Sequence, residues 1–237
     1  MPAPTDADQR DAVSSCGAAL HHLRIALAAM GWSAVVRRLP DPADPDHLAS
    51  LSVVPHRPTM NELALSDAIS RRHTDRRKFS AKPIPPGSVG LVRERAKAHG
   101  ASVRQAEGTT REQLVEVLDA AAARNVGISD DSTAFGMEPD FAELLVLSTP
   151  ADDRLARLCA GEALSAVLLT ATNIGLASCA LTEALEPPDL RRCVRARVLN
   201  GRGHPQSVVR MGWAPAGAAT PTDSCRHQVS DVLEAAS

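Results

Sequence analysis

The sequence predicts an α+β protein, and three observations carry that prediction. Two long segments, from about Asp8 to Met30 and from Asp152 to Ile174, place apolar residues at helical spacing and stop at Gly31 and Gly175. Each is followed by a pair of short β-type runs. Between them the chain alternates shorter helical and strand patterns, punctuated by proline and glycine.

In the first helical segment Val13, Cys16, Leu20, Leu23, Leu27 and Met30 recur at spacings of three and four, which predicts one apolar face. Val35-Val36 and Leu51 to Val54 then read as strands on either side of the turn-rich Pro40 to Pro45. His21 and His22 are adjacent, so they point in different directions and do not suggest a shared metal. A second helix is predicted from Asn61 to Arg71, a third from a Ser88 cap to His99, and a weak strand over Ala101 to Gln105. Thr109-Thr110-Arg111-Glu112 fits a capping box for an alanine-rich helix to Arg124. Residues 125–140 have no periodicity and read as a loop, and Ala142 to Ser148 as a strand. In the long late helix Leu155, Leu158, Ala163, Val167 and Thr170 form the predicted core register. Strands follow at Leu176 to Thr182 and Val208 to Trp213, around a short helix that Pro187-Pro188 starts, and a last helical turn is predicted near Ser230 to Ala236.

Composition narrows the function classes. A chain of 237 residues with 44% hydrophobic content can build one or two packed domains. Its net charge of −2 offers no global basic field for nucleic acid, and Phe79, Phe135, Phe141, Trp32 and Trp213 are too scattered for a base-stacking platform. Cys16, Cys159, Cys179, Cys193 and Cys225 are odd in number and form no Cys-x-x-Cys pair, which argues against a disulfide framework or structural zinc and for a reduced, cytoplasmic protein. No run approaches the roughly 18 apolar residues of a membrane span, and the polar start is unlike a signal peptide.

The candidate site is Arg71 to Phe79, where five cationic side chains and the Thr74 hydroxyl fall within nine residues. Arginine's planar fork of donors matches phosphate oxygens, and a neighbouring hydroxyl fills a remaining acceptor. The plainer reading is a solvated basic turn with an Asp75 salt bridge, part of whose charge serves a helix C-terminus.

An internal repeat adds a second line. At a constant offset of 144, Gly17 aligns with Gly161, Ala19 with Ala163, Leu20 with Leu164 and Gly31 with Gly175, and each copy then enters a strand.

The Arg-x-Thr-x-Arg pattern, followed by an aromatic and the Pro-rich turn from Phe79 to Pro86, resembles the opening of nitroreductase-like FMN proteins. The segments SCGAALHHLRIALAAMGW, RRHTDRRKFS, ADDRLARLCAGEALSAVLLTATNIGLASCALTEALE and GHPQSVVRMGWAP are most similar to the actinobacterial, dormancy-associated Acg-like subgroup, and together they cover nearly the whole chain. The resemblance implies a nitroreductase-like fold with a central mixed sheet flanked by helices. It also implies a tandem pseudo-dimer, with residues 1–60 an incomplete first half and 61–237 the second. By the same resemblance FMN phosphate and ribityl contacts fall on Arg72, His73, Thr74 and Arg76, with a one-residue ambiguity because Arg77-Lys78 precedes Phe79. Thr182 and Glu183 would present backbone N–H groups near the flavin N5, and Arg226 would close the phosphate site. The implied activity is hydride transfer from NAD(P)H through the flavin to a nitro compound or quinone. A non-catalytic flavin-sequestering protein and a member that has lost flavin are the alternatives. Such chemistry needs no protein nucleophile, so Cys179 is read as a buried apolar residue. The family's Pro-Ser-x-x-Asn-x-Gln-Pro-Trp segment has no counterpart here and residues 125–140 are shorter than the family's stretch, so a homo-oligomer that restores the wall is a further expectation.

Overall fold

The computed structural model describes residues 9–125 and 140–217. Helix α1 (Arg10–Ala29) leads into strands β1 (Trp32–Arg38) and β2 (Ala49–Pro55), then helices α2 (Met60–Arg71) and α3 (Ser88–Lys97). Strand β3 (Ser102–Ala106), helix α4 (Gly108–Asn125), strand β4 (Glu143–Thr149) and helix α5 (Arg154–Asn173) follow. The described chain closes with β5 (Ala177–Leu181), a short 3-10 turn at Glu183–Leu185, α6 (Pro188–Arg197) and β6 (His204–Gly212). The expected helical turn near Ser230 to Ala236 lies outside the described residues.

Two sheets result. β1 and β2 form an antiparallel pair, and the larger sheet runs β3-β4-β6-β5 with every neighbouring pair antiparallel. The expected mixed sheet is thus antiparallel in all its strand pairs, and a parallel contact enters through the isolated bridge that Thr74 makes to Ser178 at the outer edge of β5. β4 is an almost unbroken apolar run because both of its faces are covered. On one face Leu145, Leu147, Val209 and Met211 pack against Val92, Ala96, Ala163 and Val167 of α3 and α5. On the other, Leu144, Val146 and Val208 meet Leu114, Leu118, Leu190 and Val194 of α4 and α6.

Several local signals act differently from their sequence reading. Ser88 is the first helical residue of α3 and Gly87, at φ 85°, is its cap; the Ser88 hydroxyl donates to the Pro85 carbonyl. α4 starts one residue before Thr109, so the expected capping box is replaced by Thr110 Oγ, which accepts from the Glu107 N–H and donates to its carbonyl. A capping box does form at α2, from Thr59 and Glu62. Leu155 of the predicted α5 register is exposed, whereas Leu158, Ala163, Val167 and Thr170 are buried. α5 is long and apolar enough to cross a membrane by length and composition alone, but most of it is packed inside this fold.

The α1 register departs most. Val13 and Leu20 are buried as expected, yet Cys16, Leu23 and Met30 face outward, and the packed face is Val13, Gly17, Leu20, His21 and Ala28. Small residues, not large ones, choose this face. A Cβ on Gly17 would lie 2.1 Å from the Leu158 carbonyl oxygen, and one on Gly161 would lie 1.9 Å from that of Ser14. The contacts are reciprocal at the sequence offset of 144, and so is the 2.8 Å hydrogen bond between His21 Nδ1 and Ser165 Oγ. Beside this crossing Glu162 is fully buried, accepting from Arg24 and, through both oxygens, from Arg38 of β1. That ion pair ties the small sheet to the core helix.

Two consequences are measurable. Alanine at Gly17 or Gly161 must push the helices apart, a loss of about 3 kcal/mol by the usual cost of overpacking, which urea unfolding would register against any gain in helix propensity. Burial, helped by the neighbouring His99 ring, lowers the His21 pKa to about 3. The unfolded chain therefore binds a proton first on acidification. Stability should fall by about 1.4 kcal/mol per pH unit from this group alone between the ordinary histidine pKa of about 6.5 and the lowered value of about 3, and His21→Asn should flatten that slope in pH-dependent unfolding.

Candidate functional site

The basic stretch is laid along the open edge of β5. α2 ends at Arg71, Arg72 takes an extended conformation, and the next residues pair with the strand through the Thr74 bridge and a 3.0 Å bond from the Asp75 N–H to the Ser178 carbonyl. Because that pairing is parallel, the chain from Thr74 to Arg76 advances in the same direction as β5 from Ser178 toward Thr182 and Glu183. The motif and the end of β5 thus border one edge of the sheet. Thr182 is half-buried and Glu183 is exposed at the start of the 3-10 turn.

The cations of the stretch divide into two kinds. Arg77 is bound to structure: its Nε and Nη2 donate to the two Asp75 oxygens at 2.9 and 2.7 Å, and its own N–H reaches Asp75 Oδ1. Asp75 is 3% exposed. Burial is the largest single influence on its carboxyl and pushes the pKa up, but the Arg77 hydrogen bonds together outweigh it and hold the group below the ordinary carboxylate value. Arg76 is exposed, and no described residue pairs with it. Arg72 is half-buried and donates to Thr74 Oγ at 3.3 Å. Arg77 is thus an internal clamp, while Arg72, Thr74 and Arg76 are not held by Asp75. The expected Asp75 salt bridge is present, and the remaining cations of the loop lie beside it. His73 is half-buried beside them, and Arg226 lies outside the described residues.

A residue that sequence reasoning missed underlies the loop. Arg210, in β6, is 2% exposed and bonds Asp140 Oδ2 through Nε at 3.0 Å and Nη2 at 2.6 Å. It also donates to the carbonyls of Arg76 and Arg77 at 3.3 and 2.9 Å. Asp140 Oδ1 accepts from the Phe79 N–H, and the Phe79 ring stacks under the Arg210 guanidinium at 4.8 Å. Phe79 fits there because Gly212 presents no side chain; a Cβ would meet the ring at 3.0 Å. The available signal was the arginine within the otherwise apolar run Val208 to Met211. Cys179 is buried opposite Arg210 in the β5–β6 register, and burial raises its thiol pKa, as suits an apolar role. Among the described residues no group of three or more His, Cys, Asp or Glu could hold a metal ion.

The architecture has counterparts among solved structures. A nitroreductase with bound FMN from Bacteroides fragilis superposes with a TM-score of 0.52 over 70% of this chain and 96% of that one, at 16% identity. A Bacteroides thetaiotaomicron protein named "Putative NADH dehydrogenase/NAD(P)H nitroreductase" does so at 0.52 over 71% and 95%, at 17% identity. The fold is therefore that of the nitroreductases. No protein-family model matches the chain. In sequence, the Mycobacterium tuberculosis protein named "Putative NAD(P)H nitroreductase Rv3131" is 40% identical over 271 residues, covering 97% of this chain and 79% of the relative. The M. tuberculosis "Putative NAD(P)H nitroreductase acg" is 32% identical over 273 residues, covering 97% and 82%. The chain belongs to the nitroreductase-like family, among its Acg-like members. Its alignments run over 271 and 273 positions although it has 237 residues, so these relatives carry residues within the matched span for which it has no counterpart.

Replacing Asp75 by Asn should remove the clamp at neutral pH and cost about 2 kcal/mol, the scale of hydrogen bonds to a charged group. The native carboxyl's pKa is lowered, so its contribution is present above the ordinary carboxylate pKa and lost as pH falls through the lowered value. The gap between wild type and Asp75→Asn in denaturant unfolding should accordingly close on acidification.

Proposed function

We propose that the chain is an FMN-binding oxidoreductase that takes hydride from NAD(P)H and delivers it to a nitro compound or quinone in alternating half-reactions. The observation that carries this reading is the parallel seat of Thr74 and Asp75 on Ser178, which sets an exposed Arg76 and the Arg72–Thr74 pair along the same edge as Thr182 and Glu183.

The donor set fits the group. Two arginines and a hydroxyl suit a dianionic phosphate and the adjoining ribityl chain, and the arginine that would have competed for the anion is already neutralised by Asp75. Arg72 would hold the phosphate, with His73 and Thr74 along the ribityl chain. Arg76, further along the edge, would place positive charge beside the pyrimidine side of the ring system. Thr182 and Glu183 would direct backbone N–H groups at N5, and Arg226 would close the phosphate site. When bound, the flavin supplies the hydride-accepting centre; the protein orients it and stabilises the reduced anion. The Glu183 side chain is exposed and is assigned no acid role.

We also propose that residues 1–60 and 61–237 are two related halves of a tandem unit, the first incomplete. The reciprocal contacts at an offset of 144 support this. A non-catalytic flavin-sequestering protein is the second reading, favoured by the residues that the relatives have within the aligned span and this chain lacks.

The purified protein should be yellow, bleach anaerobically with NADH or NADPH, and recover its colour with a nitroarene or quinone. Colour without bleaching selects the sequestering protein, and a preparation that stays colourless after incubation with FMN removes both. Arg72→Ala and Arg226→Ala should each weaken FMN binding by about 1.5–3 kcal/mol in fluorescence titrations; affinity equal to wild type would refute their placement on the phosphate.

A further inference from the structure

We propose that Arg210 is a positioning residue for the anion-binding loop: from the middle of β6 its guanidinium, with Asp140 as counter-ion, holds the Arg76 and Arg77 carbonyls inward and so keeps Arg76 directed to the ligand side. The inference rests on the FMN reading above and assigns a residue that does not itself touch the ligand.

Three observations lead to it. The first is that the arginine is buried at all. Its neighbours along β6 are Val208, Val209 and Met211, each no more than 1% exposed, and an apolar residue would ordinarily be the more stabilising choice at such a position. What the guanidinium adds is direction. Its donors bind three acceptors on two segments far apart in sequence, the Asp140 carboxylate and two consecutive peptide carbonyls. A lysine ammonium, a point charge without the planar fork, could not span them in the same way.

The second is how the loop is held. Thr74 and Asp75 are tied to β5, and Ser80 is tied by its N–H to the Trp213 carbonyl. Between those anchors a clasp joins the loop to the body of the fold: Arg210 donates to the carbonyls of residues 76 and 77, and Asp140 Oδ1 accepts from the Phe79 N–H. Asp140 also accepts from the Ala142 N–H, and Arg111 donates to the Asp140 and Ala142 carbonyls, so the clasp is itself braced against β4 and α4.

The third is peptide geometry. In a trans peptide the N–H points away from the preceding carbonyl. Drawing the Arg76 and Arg77 carbonyls toward Arg210 therefore turns the N–H groups of Arg77 and Lys78 to the opposite side. The first of these meets Asp75 Oδ1, completing the clamp on Arg77, which lies between the two fixed peptide planes, and the exposed Arg76 directly precedes the first of them. One buried guanidinium thus determines which of two adjacent arginines serves the ligand.

Arg210→Lys and Asp140→Asn, each keeping size and polarity, test the assignment in the full chain. Dissociation constants for FMN and for riboflavin report phosphate selectivity, and amide hydrogen exchange of the flavin-free protein reports the loop directly. In both variants the preference for FMN over riboflavin should fall at least tenfold, with exchange at residues 76–79 at least tenfold faster and β3 and β4 unchanged. A merely structural Arg210 would lower Tm and weaken both flavins alike; an unchanged preference in either variant, or unchanged exchange at 76–79, overturns the proposal. If wild-type protein binds neither flavin, the FMN reading fails separately. The exchange data then still decide whether Arg210 and Asp140 hold the loop.

Discussion

The close crossing of α1 on α5 at Gly17 and Gly161 is the constraint from which the rest of the structure follows. Each glycine brings its helix against the other's backbone, so the separation is set by main-chain atoms and not by side-chain volume. That contact fixes where β1 and β5 emerge, since each helix passes directly through a left-handed glycine into its strand. It also brings Glu162 within reach of Arg24 and Arg38, and His21 within reach of Ser165, polar contacts that exist only at this spacing. Larger residues here would misplace the small sheet and, through α5, the face of the sheet that carries β5.

Charge in the second region is distributed by the same logic of commitment. Of the cations between Arg71 and Lys78, Arg71 pairs with Asp67 on its own helix and Arg77 pairs with the buried Asp75. Arg72 is drawn to Thr74, and Arg76 is exposed. A loop with so many like charges would repel itself if all of them faced one way; internal pairing leaves a smaller, directed positive edge. Arg210 and Asp140 add a neutral buried pair beneath it, and breaking either member leaves a buried charge at a cost of about 3–5 kcal/mol.

Much of the fold was legible in the sequence. The two long helices, their glycine stops, the strand pairs and the β4 run lie within a few residues of their expected places, because periodicity and glycine act locally. Arg72, His73, Thr74 and Arg76 do sit together, as neighbours in sequence must, but that Thr182 and Glu183 border the same edge depends on a strand pairing no local pattern announces. The α1 face departs from its apolar periodicity because the partner helix selects the residues with the least side chain, not the largest apolar ones. The misplaced caps at Ser88 and Thr109 have a similar cause: Gly87 and Glu107 compete for the same helix starts, and the surrounding turn decides between them.

The amino-acid sequence by itself determined the class of fold, the repeat at an offset of 144 and the presence of a cationic stretch ending in Phe79. Those are properties of spacing and residue type, which any conformation of the chain retains. Only the tertiary structure decided which arginines are clamps and which face outward, and that Arg210, more than a hundred residues downstream, lies beneath the loop. The reason is that a guanidinium's role is set by the acceptors within about 3 Å of it, and for Arg210 on β6 those, the Arg76 and Arg77 carbonyls and the Asp140 carboxylate, arrive only when the sheet has closed.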